Sequence, residues 1–112
     1  MKTVTTRKAH EVIANRIDFK TSGALKGEWQ IPSLMPYAGR LPREYADKYN
    51  ESHRVARGYN ENIYVVWSYA TPIAWYTESE GWVIPPVKYS PTTTKHQGNL
   101  PARIINGTLV SR

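Results

Sequence analysis

Residues 62–69, NIYVVWSY, constrain the fold more than any other stretch. Successive side chains of a strand point to opposite faces. Ile63, Val65, Trp67 and Tyr69 therefore fall on one side of an extended chain, and Tyr64, Val66 and Ser68 on the other. A second strand, IAWYT at residues 73–77, follows the tight join Ala70-Thr71-Pro72. Pro72 has no N–H, so it starts a strand or sits on an edge. Glu78-Ser79-Glu80-Gly81 forms a turn into Trp82-Val83-Ile84. Pro85-Pro86 then interrupts the pairing, which Val87-Lys88-Tyr89 can resume. The pattern predicts an antiparallel meander of three to four strands, in which Trp67, Trp75 and Trp82 supply core and Tyr64 lies half-buried with its hydroxyl outward.

The first half reads differently. In TTRKAHEVIANRI, residues 5–17, Ala9, Val12, Ile13 and Ile17 share one helical face, and Thr5 or Thr6 can cap the helix. Such a narrow stripe needs a sheet or another helix to lie on. From 18 to 41 the chain is punctuated by Gly23, Gly27, Pro32, Pro36 and Gly39. This predicts a long irregular loop anchored by Phe19, Leu25, Trp29, Ile31 and Leu34. A second helix opens at Leu41-Pro42-Arg43-Glu44, with proline suited to the first helical position, and frays near His53. The expectation is one α+β domain over 1–112, with a helical and irregular half at 1–61 and a β-rich half at 62–112. One or two helices pack on the meander.

Length permits one modest core. The absence of cysteine excludes disulfides and thiolate metal sites. His10, His53 and His96 are too widely spaced to form a metal motif, and no cofactor motif is present. No apolar run has the length of a signal peptide or a spanning helix, so a cytoplasmic protein with no membrane partner is expected. The net charge of +6 favours acidic partners, nucleic acid first. Lys and Arg outnumber Asp and Glu by 11 to 7 in residues 1–61, with both signs mixed, so a basic face has to be assembled by folding. Arg7, Lys8 and Arg16 are candidates for it.

The run YSPTTTKHQG, residues 89–98, supplies the remaining candidates: Ser90, Thr92, Thr93, Lys95 and His96. Ser90 before Pro91 fits the N-cap and first position of a short helix that ends at Gly98, and a cap is the commonest role for such residues. The same helix start presents free N–H groups to an anion, with Lys95 and His96 beside them, which makes phosphate binding the second reading. Catalysis ranks third. His96 with a nearby hydroxyl is half of a nucleophilic pair, but no carboxylate neighbours it in sequence. The residues lean away from an enzyme.

The segment YVVWSYATPIAWY, the later Trp82 and YSPTTTKHQ together resemble a small domain of unknown function. It recurs in tailed bacteriophages, especially those of actinobacteria such as mycobacteria. That family carries a V-Y/W-S-Y-x-T-P-I-A segment followed by Y-S-x-T-T-x-x-H-Q. The opening TTRKAHEVIANRIDFKTSGALKGE resembles the start of actinophage members. The resemblance spans residues 5–30 and 62–97. It implies a phage origin and expression in the host cytoplasm, and brings no activity with it. The chain departs from the family pattern after His96, where Gly98 and Pro101 would shorten a helix that other members continue. The leading expectation is a small phage accessory protein that binds nucleic acid through a basic surface. The alternative is a host-directed, growth-inhibitory effector that binds a bacterial host protein. The sequence sets no oligomeric state.

Overall fold

The computed structural model describes residues 1–87, 91–105 and 108–111. The fold is α+β, a six-stranded sheet with helices on both faces. Strands β1 (Lys2–Thr3), β2 (Phe19–Lys20), β3 (Leu25–Gln30), β4 (Ile63–Ser68), β5 (Thr71–Thr77) and β6 (Gly81–Val83) lie in that order. Only β1 and β2 run parallel. A separate antiparallel pair joins β7 (Ala102–Ile105) to β8 (Thr108–Ser111). The helices are α1 (Ala9–Ala14), entered through a 3₁₀ turn at Thr6–Lys8, α2 (Arg43–Gly58) and α3 (Pro91–Gln97).

The expected pairing of β4 with β5 is present, with Val65 opposite Trp75 and Val66 opposite Ala74. The register then shifts, so that Trp67 faces Pro72. The extra residue, Ile73, buries beside Ala74 in the same core, as a bulge allows. Because β4 is covered on both sides, its two rows of side chains feed two cores. Tyr64 and Val66 pack with Ala9, Val12 and Ile13 of α1. Ile63 and Val65 pack with Trp75, with Leu41 just before α2 and with Tyr49 of α2, where Trp75 Nε1 donates to Ser52 Oγ at 2.9 Å.

Several expectations are corrected, among them the anchoring of the loop by Ile31 and Leu34, which are 84% and 81% exposed. The meander of three to four strands is a six-stranded sheet, because residues 18–41 are not one irregular loop: they contain β2 and β3. In β3, Leu25, Gly27 and Trp29 face α1 and the polar residues between them face the other way. A Cβ on Gly27 would lie 2.6 Å from the Phe19 ring and 2.9 Å from the Tyr64 hydroxyl, so glycine admits that close packing. Three helices replace one or two. The first is shorter than 5–17: Ile17 N–H bonds Val12 C=O (2.9 Å) and Arg16 N–H bonds Ile13 C=O (3.0 Å), closing the end with Arg16 at φ 52. Ile17 is left outside the apolar stripe, exposed. Tyr64 is fully buried, and its hydroxyl donates inward to Ile17 C=O at 2.7 Å.

Neither Thr5 nor the residue before α1 caps it through a side chain. The cap comes from across the chain, where Asn99 Oδ1 accepts from His10 N–H at 3.2 Å. This contact sets the end of α3 against the start of α1.

Candidate functional site

The sheet face turned toward α2 is only partly covered. Past the end of the α2 packing, a row crosses three strands in register: Lys20 is the direct neighbour of Lys26, and Lys26 of Trp67. Residues directly opposite in antiparallel strands point to the same face, so the two lysines stand side by side. Both are exposed, and neither meets a carboxylate within ion-pair distance among the described residues. Like charges so placed repel. Lys26 Nζ sits 5.2 Å from the centroid of the half-buried Trp67 ring, a cation on an aromatic face.

Lys26 and Trp67 open onto a cleft of about 410 Å³, whose walls include Tyr37, Tyr49, His53 and Tyr69. Four elements build it, the first being β3 with Lys26 and Gln30. The β4–β5 hairpin supplies Tyr69, at φ 58 and 60% exposed. Helix α2 supplies Tyr49 and His53, both buried. The 31–37 loop supplies the outer wall and is tied to α2 through Ser33: its N–H donates to His53 Nδ1 (3.0 Å), and its C=O accepts from Arg57 Nη1 (2.6 Å). Gly39, at φ +58, lets the chain cross the hairpin, because a Cβ there would lie 2.6 Å from Ala70 O. Next to it Arg40 N–H donates to Thr71 Oγ1 at 2.9 Å. Burial, with the Arg57 charge adding to it, lowers the His53 imidazole to about 4, so the ring is neutral at physiological pH. Burial raises the Tyr49 hydroxyl well above its ordinary value.

The residues singled out from sequence are scattered over the other face. Arg7 and Lys8 are exposed at the start of α1, and the Asn99–His10 contact brings the end of α3 to them. Arg16 lies at the far end of α1 with its guanidinium 4.3 Å from the centre of the Tyr76 ring. Its carbonyl accepts from Trp29 Nε1 at 2.8 Å. It tops a cluster of four aromatics on strands β3 to β6, Trp29, Tyr64, Tyr76 and Trp82, whose neighbouring centroids are 5.5–6.2 Å apart. Lys95 is exposed on α3. Ser90 lies outside the described residues, and Thr92 stands in the first turn of α3.

Thr93 and His96 turn inward. His96 Nδ1 shares a 2.6 Å hydrogen bond with Ser68 Oγ, which also lies 2.9 Å from Thr93 Oγ1. A serine on a histidine suggests a nucleophile and its base. Ser68 and His96 are, however, buried, and Thr93 Oγ1 also lies against the serine hydroxyl. No carboxylate bonds the imidazole among the described residues. Burial lowers the His96 pKa and keeps the ring neutral. The trio therefore acts as a clamp that fastens α3 to β4.

The Lys20–Lys26 pair was not among the sequence candidates. The alternation in LKGEWQ, residues 25–30, could have revealed β3, but the register that sets Lys26 beside Lys20 and Trp67 is a property of the fold. Among the described residues no helix is long and apolar enough to cross a membrane, and no cluster of His, Asp and Glu could hold a metal ion. No curated protein and no solved structure matches the chain. One sequence family does match, over residues 40–106, a span that takes in α2, β4, β5, β6, α3 and most of the cleft's inner wall. On that match the chain belongs to the family of unknown function DUF8033.

Proposed function

We propose that the protein binds single-stranded nucleic acid on the Lys20–Lys26–Trp67 face, as a small bacteriophage accessory protein acting in the host cytoplasm. The phage setting rests on the motif resemblance. The binding reading rests on one observation: two exposed lysines are held directly opposite each other beside an aromatic ring, without a carboxylate partner among the described residues. The repulsion between them is relieved when phosphates lie along the row. Trp67 and the exposed rings of Tyr37 and Tyr69 offer faces on which unpaired bases stack. Glu28, the acid nearest along β3, accepts from Gln30 Nε2 at 3.4 Å and makes no ion pair with Lys26.

The experiment is a salt titration of binding to a fluorescent single-stranded oligonucleotide. Log affinity should fall linearly with log salt, and Lys20→Gln/Lys26→Gln should reduce the slope by roughly 1.4, at about 0.7 per phosphate contact on single strands. The double variant should fold about as well as the parent, relieved repulsion offsetting the lost contact of Lys26 with Trp67. Arg7→Gln/Lys8→Gln should change the slope little. Absence of binding at low salt would reject the reading.

A second reading, a host bacterial protein as partner, is favoured by the 31–37 loop. There Ile31, Leu34, Met35 and Tyr37 are 74–90% exposed. Four large apolar side chains so close together on a surface are typical of a protein-binding patch. Binding to host lysate that survives both nuclease and high salt would select it.

A further inference from the structure

We infer that the cleft takes up one unstacked nucleobase of the bound strand and reads a keto oxygen on it through the Nε2–H of His53. The inference rests on the nucleic-acid reading above and adds to it a base preference. Ser33 N–H donates to His53 Nδ1 at 3.0 Å, so Nδ1 is the acceptor nitrogen. In a neutral imidazole the proton then sits on Nε2. The ring is neutral because burial holds its pKa near 4. Nε2 is itself buried and has no hydrogen-bond partner among the described residues. Buried donors are nearly always satisfied, and an orphan in the wall of an open cleft points to a ligand acceptor.

The ring is fixed for that role. It lies edge-on to Tyr49, with centroids 4.6 Å apart and planes at 83°. The cleft volume of about 410 Å³ lies within the range of small-molecule sites and is ample for one base. The Trp67 ring lines the same space, with the Lys26 ammonium positioned over it for the adjoining phosphate. Thymine, uracil, guanine and cytosine each present a carbonyl oxygen on their pairing edge. Adenine has none, and its ring acceptor N1 lies beside an amino group that hinders a donor placed for a carbonyl.

The test compares binding of the full chain to (dT)8, (dA)8 and free dTMP at one low salt concentration. The thymine strand should bind about tenfold tighter than the adenine strand, the effect of one hydrogen bond to a donor otherwise left unpaired. It should also bind far more tightly than dTMP. His53→Phe keeps the ring's bulk and removes both the Nε2 donor and the acceptor of the Ser33 N–H, so its fold is checked by denaturation before binding is read. The variant should abolish the thymine preference and leave salt-dependent binding in place. The His53 Nε2–H proton resonance of the unmodified protein should move with (dT)8 and stay with (dA)8, a readout that needs no variant. Equal binding of both strands would overturn the inference while leaving the nucleic-acid reading intact. So would a preference that survives His53→Phe, or dTMP binding as tightly as the strand. If neither strand binds, both readings fall.

Discussion

Tyr69 occupies a backbone position that suits glycine. It is the first residue of the two-residue loop between Ser68 and Thr71, at φ 58, where an L side chain costs roughly 1–2 kcal/mol. Its ring touches that of His96, with centroids 6.3 Å apart, yet stands 60% exposed at the rim of the cleft. Strain retained for an exposed aromatic is explained if the ring meets a ligand. Tyr69→Gly should therefore leave unfolding free energy unchanged or raise it by up to about 1 kcal/mol, while weakening single-strand binding by about 1–3 kcal/mol. Chemical denaturation and oligonucleotide titration on the same preparation check both halves. A loss of stability would make Tyr69 a packing residue instead. The sequence showed the tyrosine but not its conformation, because a positive φ at a non-glycine residue leaves no mark in composition or periodicity. His53 was equally illegible. Its position in a helix was readable, but its tautomer depends on a contact with Ser33, twenty residues away.

At the scale of elements, α2 and α3 are each held by a neutral imidazole. His53 receives the Ser33 N–H that ties the 31–37 loop to α2, and His96 joins α3 to Ser68. Burial pushes both pKa values down, that of His53 to about 4. A histidine depressed in the folded state binds fewer protons than it does unfolded, between its folded and unfolded values, so stability rises with pH across that window. The His53 contribution should be complete above about pH 6.5 and be lost as pH falls toward 4, with a total on the order of 3 kcal/mol. Denaturant unfolding at a series of pH values should show that slope, and His53→Phe should flatten it. An unchanged slope would show that the imidazole is not neutral in the folded chain. The elements themselves were unequally legible. Strands β4 and β5 announced themselves because β-branched and aromatic residues fill both faces. Strand β3 hid because Lys26, Gly27 and Glu28 interrupt its apolar side chains, although Leu25 and Trp29 keep the two-residue period. The long α2 was expected to fray near His53, yet it runs to Gly58 because Ser52, His53 and Ala56 are buried against the sheet and the loop.

For the molecule as a whole, the α+β class followed from the contrast between the two halves of the chain, but the sheet takes β1, β2 and β3 from the first half and β4, β5 and β6 from the second. That mixing separates two basic regions. Arg7, Lys8 and Lys95 lie on the α1 and α3 side, while Lys20 and Lys26 lie with the aromatic cleft on the α2 side. Charge alone favours neither, since Arg7, Lys8 and Lys95 also make no ion pair among the described residues. The aromatic rings and the forced lysine pair decide for the cleft side. The most direct measurement is therefore an amide chemical-shift map of the protein titrated with a single-stranded oligonucleotide. Shifts should concentrate at Lys20, Lys26, Trp67, Tyr69 and the 31–37 loop, with His96 following the Tyr69 ring it touches, and Arg7, Lys8 and α1 should stay quiet. Shifts confined to Arg7, Lys8 and Lys95, with the cleft unmoved, would contradict the account.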